Sequence, residues 1–214
     1  MSQIKLLHSG GNGVSIVAPD SNPASDRTLK LPSDGDGTIL TTNSSVGKIL
    51  QVVSTFKGDR FTSSSNSMAD VTNLSVTITP IAANSKILIQ GSINGGTARG
   101  NLDSASAIRT MRSIAGGSFS DDNKLNGATD GSRQRITFRC LAAQYNNDHM
   151  PQGFHFSGVD DPSYSVGNAI IYKIQVQCQN SYGFVLNGNT GNTNDNNIYN
   201  SRAMSSLIAM EVAA

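Results

Sequence analysis

Apolar and polar residues alternate with a period of two in much of the chain beyond residue 47. In the clearest segment, 172–179, Tyr172, Ile174, Val176 and Cys178 alternate with Lys173, Gln175, Gln177 and Gln179. This period predicts a β-strand with one buried face and one polar face. Three of the four polar residues are uncharged glutamines, so the polar face suits water, a sugar or the same face of another subunit.

Similar segments follow one another with turn residues between them. They lie at 49–53, 74–78, 87–93, 107–114, 133–141, 182–186 and 203–212. Many strands at short spacing predict an all-β fold, and we expect residues 48–214 to form an antiparallel β-sandwich that resembles a jelly roll. The connections 95–104, 116–132, 146–166 and 187–202 are long for hairpins. Long loops on an all-β scaffold are where binding residues usually lie.

Residues 1–47 have a different pattern. Short apolar stretches alternate with the turn sequences 10–13, 19–23 and 33–37, which are rich in Gly, Asn, Asp and Pro. Alone, such a segment buries too little apolar surface to offset its backbone entropy. Either it is disordered, or several copies wrap together and bury their short apolar faces against one another. The regular recurrence of the apolar stretches favours intertwined copies.

Composition narrows the function classes. Charged residues make up 14% of the chain, against roughly 25% in an ordinary soluble domain. Glu211 is the only glutamate, so the chain lacks a common helix former. A net charge of +1 argues against a dedicated nucleic-acid or anionic-membrane binder. No apolar run reaches the roughly 18–20 residues of a membrane span, and the N-terminus has no secretory signal core, so we expect synthesis in a cytoplasm.

Residues that could support catalysis or metal binding do not form a known motif. His149 and His155 are six positions apart, and no Cys or carboxylate completes a zinc ligand set at familiar spacing. Ser92 and Ser118 each follow a glycine, but neither belongs to a Gly-x-Ser-x-Gly nucleophile elbow. We therefore expect no catalytic residues, no metal site and no cofactor.

Two pairs of adjacent acidic residues remain, Asp121-Asp122 and Asp160-Asp161. Neighbouring side chains usually diverge, whereas glycoside cleavage needs two carboxylates that face one groove. We interpret both pairs as solvated turns or calcium ligands rather than as an acid–base pair.

Cys140 and Cys178 both fall on predicted inward faces of strands. Chains made in a cytoplasm rarely pair their cysteines, so we expect two buried free thiols. A disulfide between neighbouring strands is the alternative.

Positive charge is concentrated in five arginines: Arg109, Arg112, Arg133, Arg135 and Arg139. By parity, the last three share one face of the strand predicted at 133–141. They either bind an anionic glycan or pair with aspartates of the loops. We favour pairing, because nearly all acidic residues of the chain lie in predicted loops.

The order of several short motifs resembles the fibre proteins of bacteriophages, including phages of marine bacteria and cyanobacteria. The motifs lie at 4–14, 28–32, 36–42, 47–53, 74–80, 85–89, 161–162, 172–176 and 210–212. The resemblance spans most of the chain and leaves loops 95–132, 142–158 and 187–202 as its variable part. It implies a homotrimer on the virion. The thin N-terminal segment, 1–47, would attach to tail, baseplate or capsid proteins, and a β-sandwich head would follow.

Within this framework we expect the head to bind a component of the host surface, and we take glycan as that component. Aromatic rings stack on sugar rings and amides bond to hydroxyls, so the candidate contacts are Tyr145, Tyr164, Asn196 and Tyr199; packing within the loops is the alternative. A glutamine amide is long enough to pair with its own copy across a symmetry axis. The candidate trimer interface is therefore Lys173, Gln175, Gln177 and Gln179.

Two other functions stay open. One is a purely structural adaptor or decoration protein without receptor contact. The other is a depolymerase that cuts capsule polysaccharide, which would need a carboxylate pair facing a groove.

Overall fold

The computed structural model divides the chain into two compact units, Met1–Ser44 and Ser45–Ala214. It describes residues 3–7, 9–11, 13–17, 49–97, 105–141, 152–179, 182–189 and 191–214. The expected division between residues 47 and 48 lies three residues from this boundary.

The described part of the first unit is a β-hairpin. Strand β1 (Gln3–Leu7) pairs antiparallel with β2 (Gly13–Val17). Gly11 has a φ of +93° in the turn between them, a conformation that glycine adopts without a steric penalty. Residues 18–44 lie outside the described residues, so the expected intertwining of copies stays a prediction.

The second unit, here called the head, is built almost entirely of strands. They are β3 (Ile49–Lys57), β4 (Phe61–Ser63), β5 (Ala69–Ile78), β6 (Lys86–Thr97), β7 (Ala105–Ile114), β8 (Phe138–Leu141), β9 (Gln152–Asp160), β10 (Ile170–Cys178), β11 (Phe184–Leu186) and β12 (Ser205–Val212). A single 3-10 turn, Ile198–Asn200, is described between β11 and β12.

These strands form two antiparallel sheets. Sheet one has the order β3-β12-β6-β11-β4, and β9 pairs with the opposite edge of β6. Strands β12 and β11 follow one another along the same edge of β6, since β12 pairs with its first half and β11 with its last residues. Sheet two has the order β5-β10-β7-β8. The predicted all-β antiparallel sandwich is confirmed.

The connections give this sandwich the strand order of a jelly roll. Leaving aside the short β4 and β11, the long strands of sheet one are β3-β12-β6-β9, and those of sheet two are β5-β10-β7-β8. Successive strands cross between the sheets, except for the hairpin-like pair β7 and β8 within sheet two. This is the eight-stranded, double Greek-key connectivity of jelly rolls.

Strand β10 confirms the clearest prediction from the sequence. Tyr172, Ile174, Val176 and Cys178 are all fully buried, and β10 lies in the middle of sheet two between β5 and β7. Its inward side chains therefore pack against sheet one, and its polar side chains lie on the outer face.

Two predictions about the strands were wrong. Of the segment 133–141 only Phe138–Leu141 is a strand, so Arg133 and Arg135 lie in the preceding loop and do not share a strand face with Arg139. The predicted loop 146–166 contains β9, in which Phe154 and Phe156 are packed against the core. Glycines at 153 and 158 interrupt the alternation of large apolar and polar side chains in this strand. The remaining alternation is too short to predict a strand from the sequence.

A continuous apolar layer fills the space between the sheets. Its fully buried members include Ile87 and Ile89 of β6, Leu207 of β12, and Leu74 and Ile174 of the opposite sheet. Each such side chain contributes roughly 1.5–3 kcal/mol through burial.

Gly91 is required within this layer by a close approach. It lies directly opposite Phe156 of β9, and a Cβ on Gly91 would stand 2.0 Å from the Phe156 ring. The aromatic ring therefore occupies the volume that a side chain at position 91 would need.

Two carboxylates are buried in one row of sheet one, on either side of Ile87. Glu211 of β12 and Asp160 of β9 are both register partners of Ile87. Asp160 accepts hydrogen bonds from Arg112 Nη1 at 2.6 Å and from Tyr172 Oη at 2.9 Å. Arg112 and Tyr172 belong to sheet two, so this carboxylate joins the two sheets. Burial beside Asp160 raises the pKa of Tyr172, which stays a hydrogen-bond donor.

The carboxylate of Glu211 is hydrogen-bonded by neutral donors and has no cationic partner among the described residues. It accepts hydrogen bonds from Gln51 Nε2 at 2.6 Å and from the backbone N–H groups of Ile81 and Ala82 at 3.0 Å. Burial raises the pKa of Glu211, but these hydrogen bonds outweigh burial and hold the pKa below its usual value. The only glutamate of the chain thus fixes the turn between β5 and β6.

We predict that Glu211→Gln lowers the free energy of unfolding at pH 7 by about 2 kcal/mol, because an amide cannot accept all of these hydrogen bonds. Since the pKa of Glu211 is depressed on folding, its contribution is present above the unfolded pKa of about 4.3 and is lost as the pH falls through the folded value. Urea unfolding should therefore show the difference between wild type and variant shrinking below about pH 4.

Asp161→Asn is the control, because Asp161 is exposed beside the buried Asp160. It should change stability by less than about 0.5 kcal/mol. A constant difference between wild type and Glu211→Gln from pH 7 to acid would contradict the role of the charged carboxylate.

Candidate functional site

The connections of the head are divided between its two ends. Strand β3 begins where β12 ends, since Ile49 is the register partner of Val212, and we call this the proximal end. The connections 79–85, 115–137 and 161–169 also lie there, as the antiparallel registers require. The connections 58–68, 98–104, 142–151 and 179–204 join strands at the opposite end, which we call the distal end.

Two of the four predicted glycan contacts, Asn196 and Tyr199, belong to a distal connection. Asn196 is exposed in the segment between β11 and β12. The backbone of Tyr199 lies in the 3-10 turn Ile198–Asn200, but its side chain is outside the described part. Tyr145 lies outside the described residues altogether.

Tyr164 lies at the proximal end and is used in packing. Its ring is half-buried against the core, and its hydroxyl donates to the carbonyl oxygens of Ala82 at 2.8 Å and Ser85 at 3.2 Å. These bonds tie the connection 161–169 to the turn between β5 and β6. The structure thus separates Tyr164 from Asn196 and Tyr199.

Asn187 anchors the long distal connection where β11 and β12 meet on the edge of β6. It is fully buried and has a φ of +57°, which asparagine tolerates better than most residues. Its Nδ2 donates to the carbonyl oxygens of Lys57 at 2.7 Å and Asp59 at 3.1 Å. Its Oδ1 accepts from Ser205 Oγ at 2.7 Å. One side chain therefore joins β3, β11 and β12.

Asparagines also order the remainder of this connection. Asn189 Nδ2 donates to Asn200 Oδ1 at 2.6 Å, and Asn200 Nδ2 donates to Asp195 Oδ1 at 2.7 Å. The bonds from Asn200 and from the Asn197 N–H lower the pKa of Asp195. From the sequence alone these residues are known only to lie in a long connection, and no local pattern shows that they would bond one another.

The polar face of β10 is engaged within the subunit. Lys173 Nζ lies 2.7 Å from Asp70 Oδ2 and 3.7 Å from the centre of the Phe119 ring. Gln175 donates to the same aspartate at 2.8 Å, and Gln177 donates to the backbone of Asn66. Burial raises the pKa of Asp70, but the bonds from Lys173 and Gln175 outweigh it and lower the pKa.

Gln179 follows the end of β10 and is exposed. The role of Lys173, Gln175, Gln177 and Gln179 in a trimer interface stays a prediction. Lys173, Gln175 and Gln177 already form hydrogen bonds within the subunit, and they would enter such an interface with these bonds in place.

Four of the five arginines pair with aspartates, as predicted; three of these aspartates lie in the connection 115–137, and Asp160 ends β9. Arg139 is exposed, and no ion pair joins it to another described residue. Arg109 contacts Asp121 at 3.2 Å, Arg112 contacts Asp160 at 2.6 Å, Arg133 contacts Asp130 at 2.7 Å and Arg135 contacts Asp122 at 3.4 Å. Three of these pairs hold the connection 115–137. The exposed Arg133–Asp130 pair contributes little, because solvent screens it.

The connection 115–137 also covers the edge of β7 beyond the end of β8. Asn126 Nδ2 donates to the carbonyl oxygen of Thr110 at 2.7 Å, and Ser120 exchanges two backbone bonds with Arg112. An uncovered strand edge would present unpaired N–H and C=O groups to other chains. The asparagines of this loop remove that exposed edge.

A polar cavity of about 430 Å³ lies between this loop and the end of β9. Asp160 and Asp161 both line it, but Asp160 is 1% exposed and bonded to Arg112, whereas Asp161 is exposed. The two carboxylates thus have different surroundings and do not form a matched acid–base pair. Arg135 in the wall is committed to Asp122 and to the carbonyl oxygen of Gly127.

Both cysteines are buried and free, as predicted. Cys140 and Cys178 are register partners of Ser106 from opposite sides of β7. Two strand spacings, about 10 Å, therefore separate them, which exceeds the roughly 7 Å that a disulfide spans between Cα atoms. Burial raises the pKa of the Cys140 thiol to about 12, so it is a poor nucleophile.

Among the described residues, no group of three His, Cys, Asp or Glu side chains could hold a metal ion. In the same part of the chain, no helix has the length and apolar character needed to cross a membrane. His155 is exposed on β9, and His149 lies outside the described residues.

The outer face of sheet one was not identified from the sequence. Val52, Met210, Leu88 and Val159 follow one another in register across β3, β12, β6 and β9, and Val52 is 56% exposed. The signal was present in β12, where the outward Ile208, Met210 and Val212 are as apolar as the inward residues. A strand that is apolar on both faces is usually covered by other groups on both faces.

Next to this apolar row the same face contains a shallow groove of about 410 Å³. Small or polar side chains line it on three strands: Gln90 and Ser92 of β6, His155 and Ser157 of β9, and Ser206 of β12, with Ile208 at one side.

Comparison of the sequence with family models and with curated proteins finds no match.

We predict that Asn187→Gly lowers the free energy of unfolding by about 2–4 kcal/mol, because it removes the three hydrogen bonds of a fully buried side chain while keeping the positive φ accessible. Asn187→Ala should cost about 1 kcal/mol more, since alanine also resists that φ. Urea unfolding of the full chain measures both.

The matched control is Asn84, which is exposed and has a φ of +60°. There the step from Asn to Gly should be close to neutral, and only the step to Ala should destabilise. Equal costs for the glycine variants at the two positions would contradict an anchoring role for the Asn187 side chain.

Proposed function

We propose that this chain is a structural fibre protein of a bacteriophage virion. Its N-terminal segment attaches to tail, baseplate or capsid proteins, three copies associate, and the heads contact a host-surface glycan through their distal loops. The supporting observation is the division of the head into two ends. The chain enters the head at the proximal end, and the long asparagine-rich connection lies at the distal end.

The distal connection suits the recognition of neutral sugars. Asparagine amides both donate and accept, as sugar hydroxyls do. The bonds of Asn187, Asn189 and Asn200 fix much of the loop in advance, which reduces the entropy lost on binding. Asn196 lies exposed within this ordered segment. Three heads on one fibre would convert weak single contacts into useful avidity.

The same proposal gives the chain no catalytic role and no nucleic-acid or membrane partner. The chain would be made in the host cytoplasm and assembled on the surface of the particle. The low share of charged residues, 14%, fits a surface whose solubility depends on neutral polar groups.

A purely structural adaptor or decoration protein is the second candidate. The observation that favours it is that Asn189, Asn200 and Asp195 bond to one another, which leaves fewer groups for a ligand. The position of the chain in an intact particle discriminates between the two. An adaptor would have both ends of its head covered by other virion proteins, whereas an attachment head would leave the distal end free.

We predict that the purified full chain binds cells of a permissive host, or members of a glycan array. Asn196→Ala should weaken binding by roughly 2–10-fold, the effect of one lost hydrogen bond. Adsorption to cells and array fluorescence measure it.

Thr77→Ala is the control, because Thr77 is exposed on the outer face of sheet two, away from the distal loops. It should leave binding unchanged. Absence of wild-type binding to every permissive host would contradict attachment and favour the adaptor.

A further inference from the structure

We infer that the outer face of sheet one is the surface through which copies of this chain associate, with Phe56 of one copy in the groove of the next. The inference rests on the trimer in the proposed function and names its contact. It does not depend on host binding.

The face is free of formal charge over its centre. Three rows of register partners cross β3, β12, β6 and β9: Val52–Met210–Leu88–Val159, Ser54–Ile208–Gln90–Ser157 and Phe56–Ser206–Ser92–His155. None of these twelve positions is Lys, Arg, Asp or Glu. Depletion of charge together with exposed aromatic and Met side chains is the compositional signal of an interface core.

The outer face of sheet two provides an internal comparison. There Asp70, Lys173 and Arg109 lie in neighbouring rows of β5, β10 and β7 and are bonded through Gln175. One outer face of the sandwich is therefore charged and internally bonded, and the other is uncharged and partly apolar. The difference cannot come from overall composition, because both faces belong to one domain.

A second copy is the occupant that the charge pattern fits best. When a charged surface meets its own copy, like charges are brought together, and this costs free energy. An uncharged face meets its own copy without that cost. A nucleic acid or an anionic membrane would instead need a basic patch, which the twelve positions do not provide.

The apolar projection and the groove lie at different positions on the face. Phe56 stands on the edge strand β3 and is 59% exposed, whereas the groove begins at the neighbouring strand β12 and extends over β6 and β9. If Phe56 of one copy enters the groove of another, the two copies use unlike patches. Such contacts occur either twice in a twofold dimer, where each copy's Phe56 enters the groove of the other, or head to tail around a closed ring. The trimer of the proposed function requires the ring. In a ring of three copies, each Phe56 enters the groove of the next copy, so that no Phe56 and no groove is left exposed.

The twelve positions cover part of a standard contact. Four strands at about 4.8 Å spacing and five residues at about 3.3 Å rise give a flat footprint of roughly 320 Å². The relief of the side chains enlarges the accessible area towards the roughly 800 Å² per partner of a standard interface.

The test is disulfide trapping between copies of the full chain. Cys140 and Cys178 are buried, so the background of native thiols is low. The variant that combines Phe56→Cys with Ser157→Cys should form linked chains up to trimers under mild oxidation. Each single variant should stay unlinked, because its new thiol would face a serine or a phenylalanine.

Thr77→Cys combined with Ser157→Cys is the control and should stay unlinked. Linking of Phe56→Cys alone would show like patches in contact, and linking of the double variant that stops at dimers would show a reciprocal twofold pair; either result would overturn the ring. Linking of Gln177→Cys alone would place the contact on β10 instead. No linking in the double variant would overturn the inference as well.

A second measurement guards against misfolding of the cysteine variants. Phe56→Asp should raise the protein concentration at which trimers dissociate by at least about 10-fold in light scattering, because an unpaired charge would be buried in the contact. Thr77→Asp, on sheet two, should leave it unchanged. Unaltered assembly of Phe56→Asp, with native circular dichroism, would also overturn the inference. Loss of host binding with intact trapping would instead refute only the attachment function.

Discussion

The apolar layer between the two sheets is the interaction on which the rest of the head depends. It extends from β5 and β10 of sheet two to β6 and β12 of sheet one as one cluster of buried side chains. Buried polar groups close it at both ends and are bonded there, because an unpaired polar group would cost several kcal/mol. Glu211 and Asp160 close the proximal end, and Asn187 closes the distal end.

This layer leaves the chain with three kinds of surface. The outer face of sheet two bonds to itself through Asp70 and Lys173. The outer face of sheet one presents the row from Val52 to Val159 without charge. The distal loops present asparagines held by hydrogen bonds. Assembly and ligand contact can therefore occupy different surfaces of one small head, which a fibre protein needs when both must occur together.

Strand alternation in the sequence predicted the fold class and most of the strands, and it placed Tyr172 to Cys178 in the core correctly. It failed for β9, where Gly153 and Gly158 replace large side chains, and for the start of β8. The structure shows why Gly158 must be small: a Cβ there would stand 2.8 Å from Leu125. Contacts of that kind join residues far apart in the chain and leave no local pattern.

The candidate sites were less predictable than the fold. The arginine–aspartate pairing followed from composition, since few other acids were available. Tyr164 could not be distinguished from a free loop aromatic, because its partners Ala82 and Ser85 are about 80 residues away. The uncharged face of sheet one was visible in β12 as apolar residues of both parities. Only the registers of β3, β12, β6 and β9 show that outward residues of all four strands lie side by side in one uncharged surface.

The mass of the full chain in solution tests the central claim most directly, that uncharged faces join copies of this head. Light scattering at micromolar concentration should give three times the chain mass of 22.5 kDa. That mass should persist at high salt, because contacts without charge are not screened. A single-chain mass, or a trimer that dissociates when salt is added, would contradict the account.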